Sequence, residues 1–149
     1  MLTLVSLTYI SAGVSLPTDS ELQQLHQKAR KRNAELAVTG VLLYSAGTFM
    51  QYLEGPADAV EHVWRIICDD PMHRNILEMD RGEIPARLFP EWSMAVRAPS
   101  RSFREFGGAE LTTRLATPEP GVFSAAKILL SSFWETAVGG RFSQFYPSF

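Results

Sequence analysis

The sequence predicts an α+β fold close to the ferredoxin-like pattern, with five strands in one sheet and two helices packed on one of its faces. The first observation is the order of the periodic segments, which alternate between the repeats of strands and helices as β-α-β-β-α-β-β. The second is punctuation, because Pro, Gly and Asp residues separate these segments. The third is composition: of 149 residues, 46% are hydrophobic and 20% are charged, which is typical of a globular domain.

The first strand is predicted over 2–11, where Leu7 and Tyr9 share one face. After a short turn, Thr18 and Glu21 have the spacing of a capping box and mark the start of a helix. One narrow stripe runs along this helix. It comprises Leu22, Leu25, Ala29, Asn33 and Leu36.

Two strand-like runs, at 39–44 and 48–55, flank a short Ser-Ala-Gly turn and predict a hairpin. Alternation places Gln51 on the same face as Phe49 and Leu53. A buried amide needs partners, because each unpaired polar group costs about 1–3 kcal/mol. The sequence leaves two alternatives for Gln51, a neighbouring strand or a polar ligand.

Pro56 is predicted at the first position of a second helix, which Asp70 and Pro71 end. Two further strands are predicted over 75–83 and 92–97, with a turn-rich linker between them. The second helix presents a buried stripe to the sheet. This stripe comprises Val60, Val63, Trp64 and Ile67.

The character of the sequence changes after Pro99. We predict a first domain over 1–98 and a C-terminal helical extension with an aromatic tail over 99–149. An amphipathic helix is predicted over 122–137. This helix either covers the bare face of the sheet or forms a subunit interface. The first alternative is favoured, because two helices on one side leave the other side of the sheet uncovered.

Charge and cysteine content argue against several functional classes. A formal net charge of −2 is not that of a general nucleic-acid binder, and the single Cys68 excludes an internal disulfide or a zinc cluster of several cysteines. His26 and His62 show no metal-ligand spacing, so no metal site is assigned. No apolar run is long enough for a membrane span and no secretory leader is recognised, so we expect a cytoplasmic protein.

Three polar side chains fall on apolar faces: Tyr9, Asn33 and Gln51. Each has an ordinary structural explanation, namely a phenol bonded to a backbone carbonyl, an amide at a helix end and an amide paired across strands. Three separate explanations on three adjacent elements are less economical than a shared one. A phenol and two amides suit the edge of a planar heterocycle with alternating donors and acceptors.

A set of motifs runs in order from 2 to 97. It comprises Tyr9, Arg32-Asn33, Thr39-Gly40-Val41-Leu42-Leu43-Tyr44, Phe49-Met50-Gln51-Tyr52-Leu53-Glu54-Gly55, Asp70 with His73, and Phe89-Pro90-Glu91-Trp92-Ser93-Met94. Together these motifs resemble the BLUF domain, the family of blue-light sensors that use flavin. The resemblance covers about the first two thirds of the chain.

The resemblance implies that a flavin ring lies between the two helices. Asn33 would bond the pyrimidine edge of the ring, and Leu25 and Ile67 would cover its two faces. Arg32 would contact the ring edge or the phosphates, or remain a solvated helix cation, and Asp70 would join the cofactor site.

One departure from the family pattern concerns the phosphate end of the cofactor. The family usually has Asp-x-Arg-His after the second helix, whereas Met72 stands at the Arg position here, before His73. His73 alone could still contact the cofactor. FAD is therefore predicted with a weaker hold on its adenylate half, and FMN or riboflavin are alternatives.

The resemblance also implies a photochemical mechanism. Gln51 would bridge the Tyr9 hydroxyl and the flavin N5/O4 edge, and light would drive electron and proton transfer from Tyr9 to the flavin. The Gln51 amide would then change its hydrogen bonds by rotation or tautomerisation. Trp92 and Met94 would relay the signal, or simply share a core face with Val96 by alternation.

The predicted function is that of a non-enzymatic blue-light photoreceptor that forms homo-oligomers. The segment after Pro99 is too short for a fused effector domain, so output is expected through the C-terminal helices and an unidentified signalling protein. The alternative is a ferredoxin-like ligand-binding or scaffolding module without photochemistry. A flavoenzyme ranks last, because no catalytic acid, thiol or nicotinamide site is evident.

Overall fold

The computed structural model describes residues 3–13, 18–45, 47–71, 73–97 and 125–137. The predicted aromatic tail and the first residues of the predicted last helix lie outside these ranges. All structural statements below concern the described residues.

The described chain forms one five-stranded sheet with three helices. In chain order the elements are β1 (Leu4–Gly13), α1 (Asp19–Glu35), β2 (Thr39–Ser45), β3 (Thr48–Pro56), α2 (Ala57–Asp69), β4 (His73–Glu83), β5 (Ala95–Arg97) and α3 (Ala125–Ala137). The strand order across the sheet is β4-β1-β3-β2-β5. Strand β5 runs parallel to β2, and the other pairs are antiparallel. The predicted α+β class and element order are confirmed.

Local chemistry explains where α1 begins and where α2 begins and ends. The Thr18 hydroxyl accepts from the Glu21 backbone N–H, and the Glu21 carboxylate accepts from the Thr18 N–H, both at 3.1 Å, which completes the capping box. Pro56 is the N-cap of α2, so this helix starts one residue later than predicted. Asp70 already has extended backbone angles, because a following proline disfavours helical geometry.

The sheet separates two apolar clusters. The first lies under α1 and α2 and includes Leu7, Phe49 and Leu53. The second lies on the opposite face, where Ala126 and Leu130 of α3 are buried against the sheet. The C-terminal helix therefore covers the second face, as the favoured alternative predicted.

The last strand differs from the prediction. A strand was predicted over 92–97, but β5 begins only at Ala95, because the Trp92 N–H donates to the Phe89 carbonyl and the chain turns there. The expected alternation therefore fails. Trp92 packs in the second cluster and Met94 in the first, so the prediction of a shared core face for these two residues was wrong.

In the described segments, every helix is too short or too polar to cross a membrane. The same segments bring no three His, Cys, Asp or Glu side chains close enough together to hold a metal ion.

Candidate functional site

Tyr9 and Gln51 face each other on adjacent antiparallel strands. They are a register pair of β1 and β3, and both are buried. The Tyr9 hydroxyl donates a hydrogen bond to Oε1 of Gln51. The amide that the sequence placed on an apolar face therefore has a phenol as one of its partners.

The other end of the Gln51 amide contacts a sulfur atom. Its Nε2 donates to Sδ of Met94 at 3.4 Å, and Met94 is fully buried. A thioether is a weak acceptor, so this bond stabilises the amide less than a bond to oxygen or nitrogen would. Gln51 is thus paired at both ends, with a phenol at Oε1 and with a thioether at Nε2.

A cavity of about 110 Å³ opens beside this pair, between α1 and α2. Leu25, Ala29, Leu42 and Ile67 supply apolar walls, and Tyr9, Gln51, Lys28, Arg32 and Asp70 supply polar groups. Of the predicted cofactor residues, five line this one cavity: Leu25, Arg32, Gln51, Ile67 and Asp70.

The remaining two predicted cofactor residues are not among the described lining of the cavity. Asn33 is fully buried; its Nδ2 donates to the Ser93 carbonyl at 3.2 Å, and its Oδ1 accepts from Arg32 Nε at 3.3 Å. His73 is the first residue of β4, where it pairs in register with Gly13. Because Arg32 lines the cavity and donates to Asn33, Asn33 lies next to the cavity without being part of its described wall.

Two ionisable groups of the cavity, Tyr9 and Arg32, have pKa values that differ from their ordinary ones. Burial raises the pKa of the Tyr9 phenol; the Arg32 guanidinium opposes this shift, and Cys68 and Asp70 add to it. Burial lowers the pKa of Arg32, against the charges of Tyr9 and Asp70. Tyr9 is consequently a neutral hydrogen-bond donor at ordinary pH, and its proton leaves only if a neighbouring group takes it.

Two residues near the site, Trp64 and His26, were not predicted to be site residues. The Trp64 ring lies 5.3 Å from the Tyr9 ring between centroids, at an interplanar angle of 51°. His26 is buried, with Nε2 2.7 Å from the Met94 carbonyl oxygen. The signal for Trp64 was its place in the α2 stripe. For His26 it was the helical spacing from Leu22, which puts both on one face.

The donor set of the cavity fits a flavin ring. Apolar side chains from two facing helices suit the faces of a planar heterocycle, and the phenol–amide pair suits its polar edge. The volume is below the roughly 300–1,000 Å³ usual for ligand pockets. Binding a three-ring system therefore requires side chains that line the cavity to move aside.

Comparison with known proteins identifies the class to which this fold and site belong. The family model described as "BLUF: Sensors of blue-light using FAD" matches residues 4–95. Photoactivated adenylate cyclase subunit beta of Euglena longa is 39% identical over 93 residues, which are 62% of this chain and 11% of that protein. The blue light- and temperature-regulated antirepressor BluF of Escherichia coli (strain K12) is 39% identical over 74 residues, which are 50% of this chain and 18% of that protein.

Solved structures of BLUF proteins are also similar to this chain. The dark-state structure of BlrB, a BLUF protein, has 41% sequence identity and a TM-score of 0.63, and the match covers 66% of this chain and 74% of that one. A Klebsiella pneumoniae BlrP1 complex with manganese and cy-diGMP has 33% identity and a TM-score of 0.71, over 87% of this chain and 32% of that one.

The chain belongs to the BLUF family of flavin-using blue-light sensors. It spans only a small part of the curated relatives it matches, with 11% of the cyclase subunit and 18% of the antirepressor covered.

Proposed function

We propose that this chain is a blue-light photoreceptor that binds flavin in the cavity between α1 and α2, and that illumination changes the hydrogen bonds of Gln51. The observation that carries the proposal is the contact chain from the Tyr9 hydroxyl through the Gln51 amide to the Met94 sulfur, with Tyr9 and Gln51 both lining the cavity. Flavin, when bound, would supply a photoexcited oxidant, and Tyr9 would be the residue that gives up an electron and a proton.

The amide of Gln51 is suited to a change between two bonding patterns. It presents a donor and an acceptor on one planar group of nearly symmetric shape, so exchanging its ends alters the hydrogen bonds with little steric change. Its bond to Tyr9 has an oxygen acceptor and its bond to Met94 has a thioether sulfur, which is a weak acceptor, so the Met94 side is the one that releases more easily. Met94, and with it the segment back to Trp92, is proposed to relay the signal.

The proposed cofactor contacts follow the cavity. Leu25 and Ile67 would cover the ring faces, and Asp70 and the cations Lys28 and Arg32 offer charge beside them. Asn33 would bond the ring edge after exchanging its present partners, and His73 is retained as a candidate on its motif match alone.

FAD is the proposed cofactor, with FMN and riboflavin as alternatives. BlrP1 has been solved with FMN and cyclic diGMP, so a BLUF relative accommodates the shorter flavin. Because Met72 stands where the family usually has Arg, the α1 cations Lys28 and Arg32 are candidates for a phosphate contact besides His73.

We propose further that this chain has no enzymatic activity of its own. Output would pass through α3, which packs on the sheet face that also holds Trp92, to another protein. The division into a flavin-binding domain over 1–98 and an extension over 99–149, homo-oligomerisation and a cytoplasmic location stay predictions from the sequence.

The test is absorption spectroscopy on the purified protein, with FAD and FMN added separately. The proposal predicts a yellow protein whose flavin band shifts reversibly to the red under blue light. A protein that stays colourless after both additions would be a ligand-binding or scaffolding module of another kind. Substrate-dependent bleaching in the dark would instead identify a flavoenzyme.

A further inference from the structure

Three consecutive carbonyls next to the Gln51 contact are each held by a donor from another element. The Gly40 N–H of β2 donates to the Trp92 carbonyl at 3.0 Å, and Asn33 Nδ2 donates to the Ser93 carbonyl at 3.2 Å. His26 Nε2 lies 2.7 Å from the Met94 carbonyl oxygen. The backbone that carries the Met94 side chain is therefore fixed mainly by side chains of α1, the helix that also walls the cavity.

The hydrogen-bond role of His26 follows from its surroundings. Burial lowers the pKa of this imidazole, the Met94 carbonyl opposes the shift and Arg30 adds to it, so the ring is neutral at neutral pH. A carbonyl oxygen can only accept, so Nε2 carries the ring proton. The bond is short and buried, and each such bond contributes on the order of 1 kcal/mol.

Strand β5 is too short to fix Met94 by itself. It consists of three residues, Ala95–Arg97, and pairs with β2 from Ala95 onward. Met94 precedes this pairing. The position of its sulfur, 3.4 Å from Gln51 Nε2, therefore depends on what holds its backbone.

We propose that His26 is a positioning residue for the light reaction: its imidazole holds the Met94 backbone so that the Met94 sulfur stays against the Gln51 amide. This inference rests on the proposed function. In this proposal the Met94–Gln51 contact re-forms on the way back to the dark state, so weakening it should slow that return.

The test uses the flavin-loaded protein and compares His26→Leu, which removes the donor, with His26→Gln, which retains an N–H donor of similar reach. Dark recovery after blue light should slow about fivefold in H26L and return close to the wild-type rate in H26Q. An unchanged or faster recovery in H26L overturns the inference. If H26L does not fold, His26→Asn, whose shorter amide does not reach Met94, replaces it.

A double variant separates positioning from general packing. In the Met94→Leu background the sulfur acceptor is absent and the volume is nearly kept. There H26L should cause no further change in recovery. If H26L has the same effect with and without the sulfur, His26 does not act through Met94.

A measurement that needs no photochemistry keeps the two proposals apart. In protein with ¹³C-labelled methionine methyls, the Met94 signal is the one missing from the Met94→Leu spectrum. In the dark, the chemical shift of this methyl signal should change in H26L and return to the wild-type value in H26Q. An unchanged chemical shift in H26L overturns the inference. A wild-type protein with no light-induced shift would refute the proposed function, while the methyl spectra still decide what His26 does.

Discussion

Sδ of Met94 lies 3.4 Å from Nε2 of Gln51 and accepts its hydrogen bond, on the sheet face covered by α1 and α2. Two residues earlier, Trp92 stacks on Phe89 on the opposite face, with ring centroids 5.5 Å apart and planes 12° apart. The short segment from Phe89 to Met94 therefore contacts both the amide beside the cavity and the cluster beneath α3. This segment is the route by which we propose that a change at Gln51 reaches the opposite face of the sheet.

Removing the Tyr9 hydroxyl should abolish the light response. Tyr9→Phe leaves Oε1 of Gln51 without its phenol donor, which costs about 1–3 kcal/mol in stability. Flavin absorption should remain while the red shift disappears. Tyr44→Phe is the control, because Tyr44 is also a buried phenol but does not line the cavity. A normal shift in Y9F would show that the phenol is not the photochemical donor.

Replacing the sulfur of Met94 should change the kinetics and leave the cofactor bound. Met94→Leu nearly conserves volume but removes the acceptor of Gln51 Nε2, so the dark state is destabilised and recovery slows several-fold. Met50→Leu is the matched control, since Met50 is equally buried but lies in the cluster on the opposite face. Equal recovery rates in both variants would exclude Met94 from the mechanism.

The buried carboxylate of Glu54 should be essential for stability. It accepts from four donors: the Tyr52 and Thr39 hydroxyls, each at 2.8 Å, and the Leu88 and Phe89 N–H groups at 2.7 and 2.8 Å. In Glu54→Gln one end of the side chain becomes an NH₂ group facing two of these donors. The expected loss in free energy of unfolding is about 2–4 kcal/mol.

Urea titration measures this loss, with Glu35→Gln at an exposed α1 position as the control. The midpoint should fall in E54Q without a change in slope. Equal midpoints would mean that the network around Glu54 does not hold the 88–89 segment. Tyr52 belongs to the same network through its hydrogen bond to Glu54. Burial and then the Glu54 carboxylate raise the pKa of the Tyr52 phenol.

Stability should fall in mild acid because of His26. Its pKa is lowered in the folded protein, mainly by burial, so the unfolded chain binds a proton at higher pH than the folded one. The contribution of His26 is fully present above its ordinary pKa of 6.5 and is lost as pH falls through the folded value.

This loss of stability is tested by measuring the free energy of unfolding at about pH 7.5 and at about pH 5. The loss on acidification should be smaller in His26→Gln than in the wild type. His62→Gln, at an exposed position of α2, should retain the wild-type loss. Identical losses in all three proteins would contradict the assignment.

Features set by local chemistry were predictable from the sequence. The Thr18–Glu21 capping box depends on residues within one turn, and the face of Gln51 depends only on strand alternation. The stripes of α1 and α2 likewise placed Leu25 and Ile67 on the walls of one cavity.

Features set by distant partners were not predictable. Trp92 and Met94 separate because Trp92 bonds to Gly40 and Phe89, and no periodicity within 92–97 contains those bonds. Glu54 finds its backbone partners on the 88–89 segment, far along the chain. The contact of His26 with the Met94 carbonyl joins residues 68 positions apart, so no local pattern around His26 indicates it.

The photochemical proposal depends on the Gln51 amide being the group that light rearranges. The most direct measurement is the light-minus-dark absorption of flavin-loaded Gln51→Leu, beside Gln24→Leu, which makes the same chemical change at an exposed position of α1. Both variants should bind flavin; Q24L should show the full reversible red shift, and Q51L should show none. A normal reversible shift in flavin-loaded Q51L would contradict the photochemical proposal.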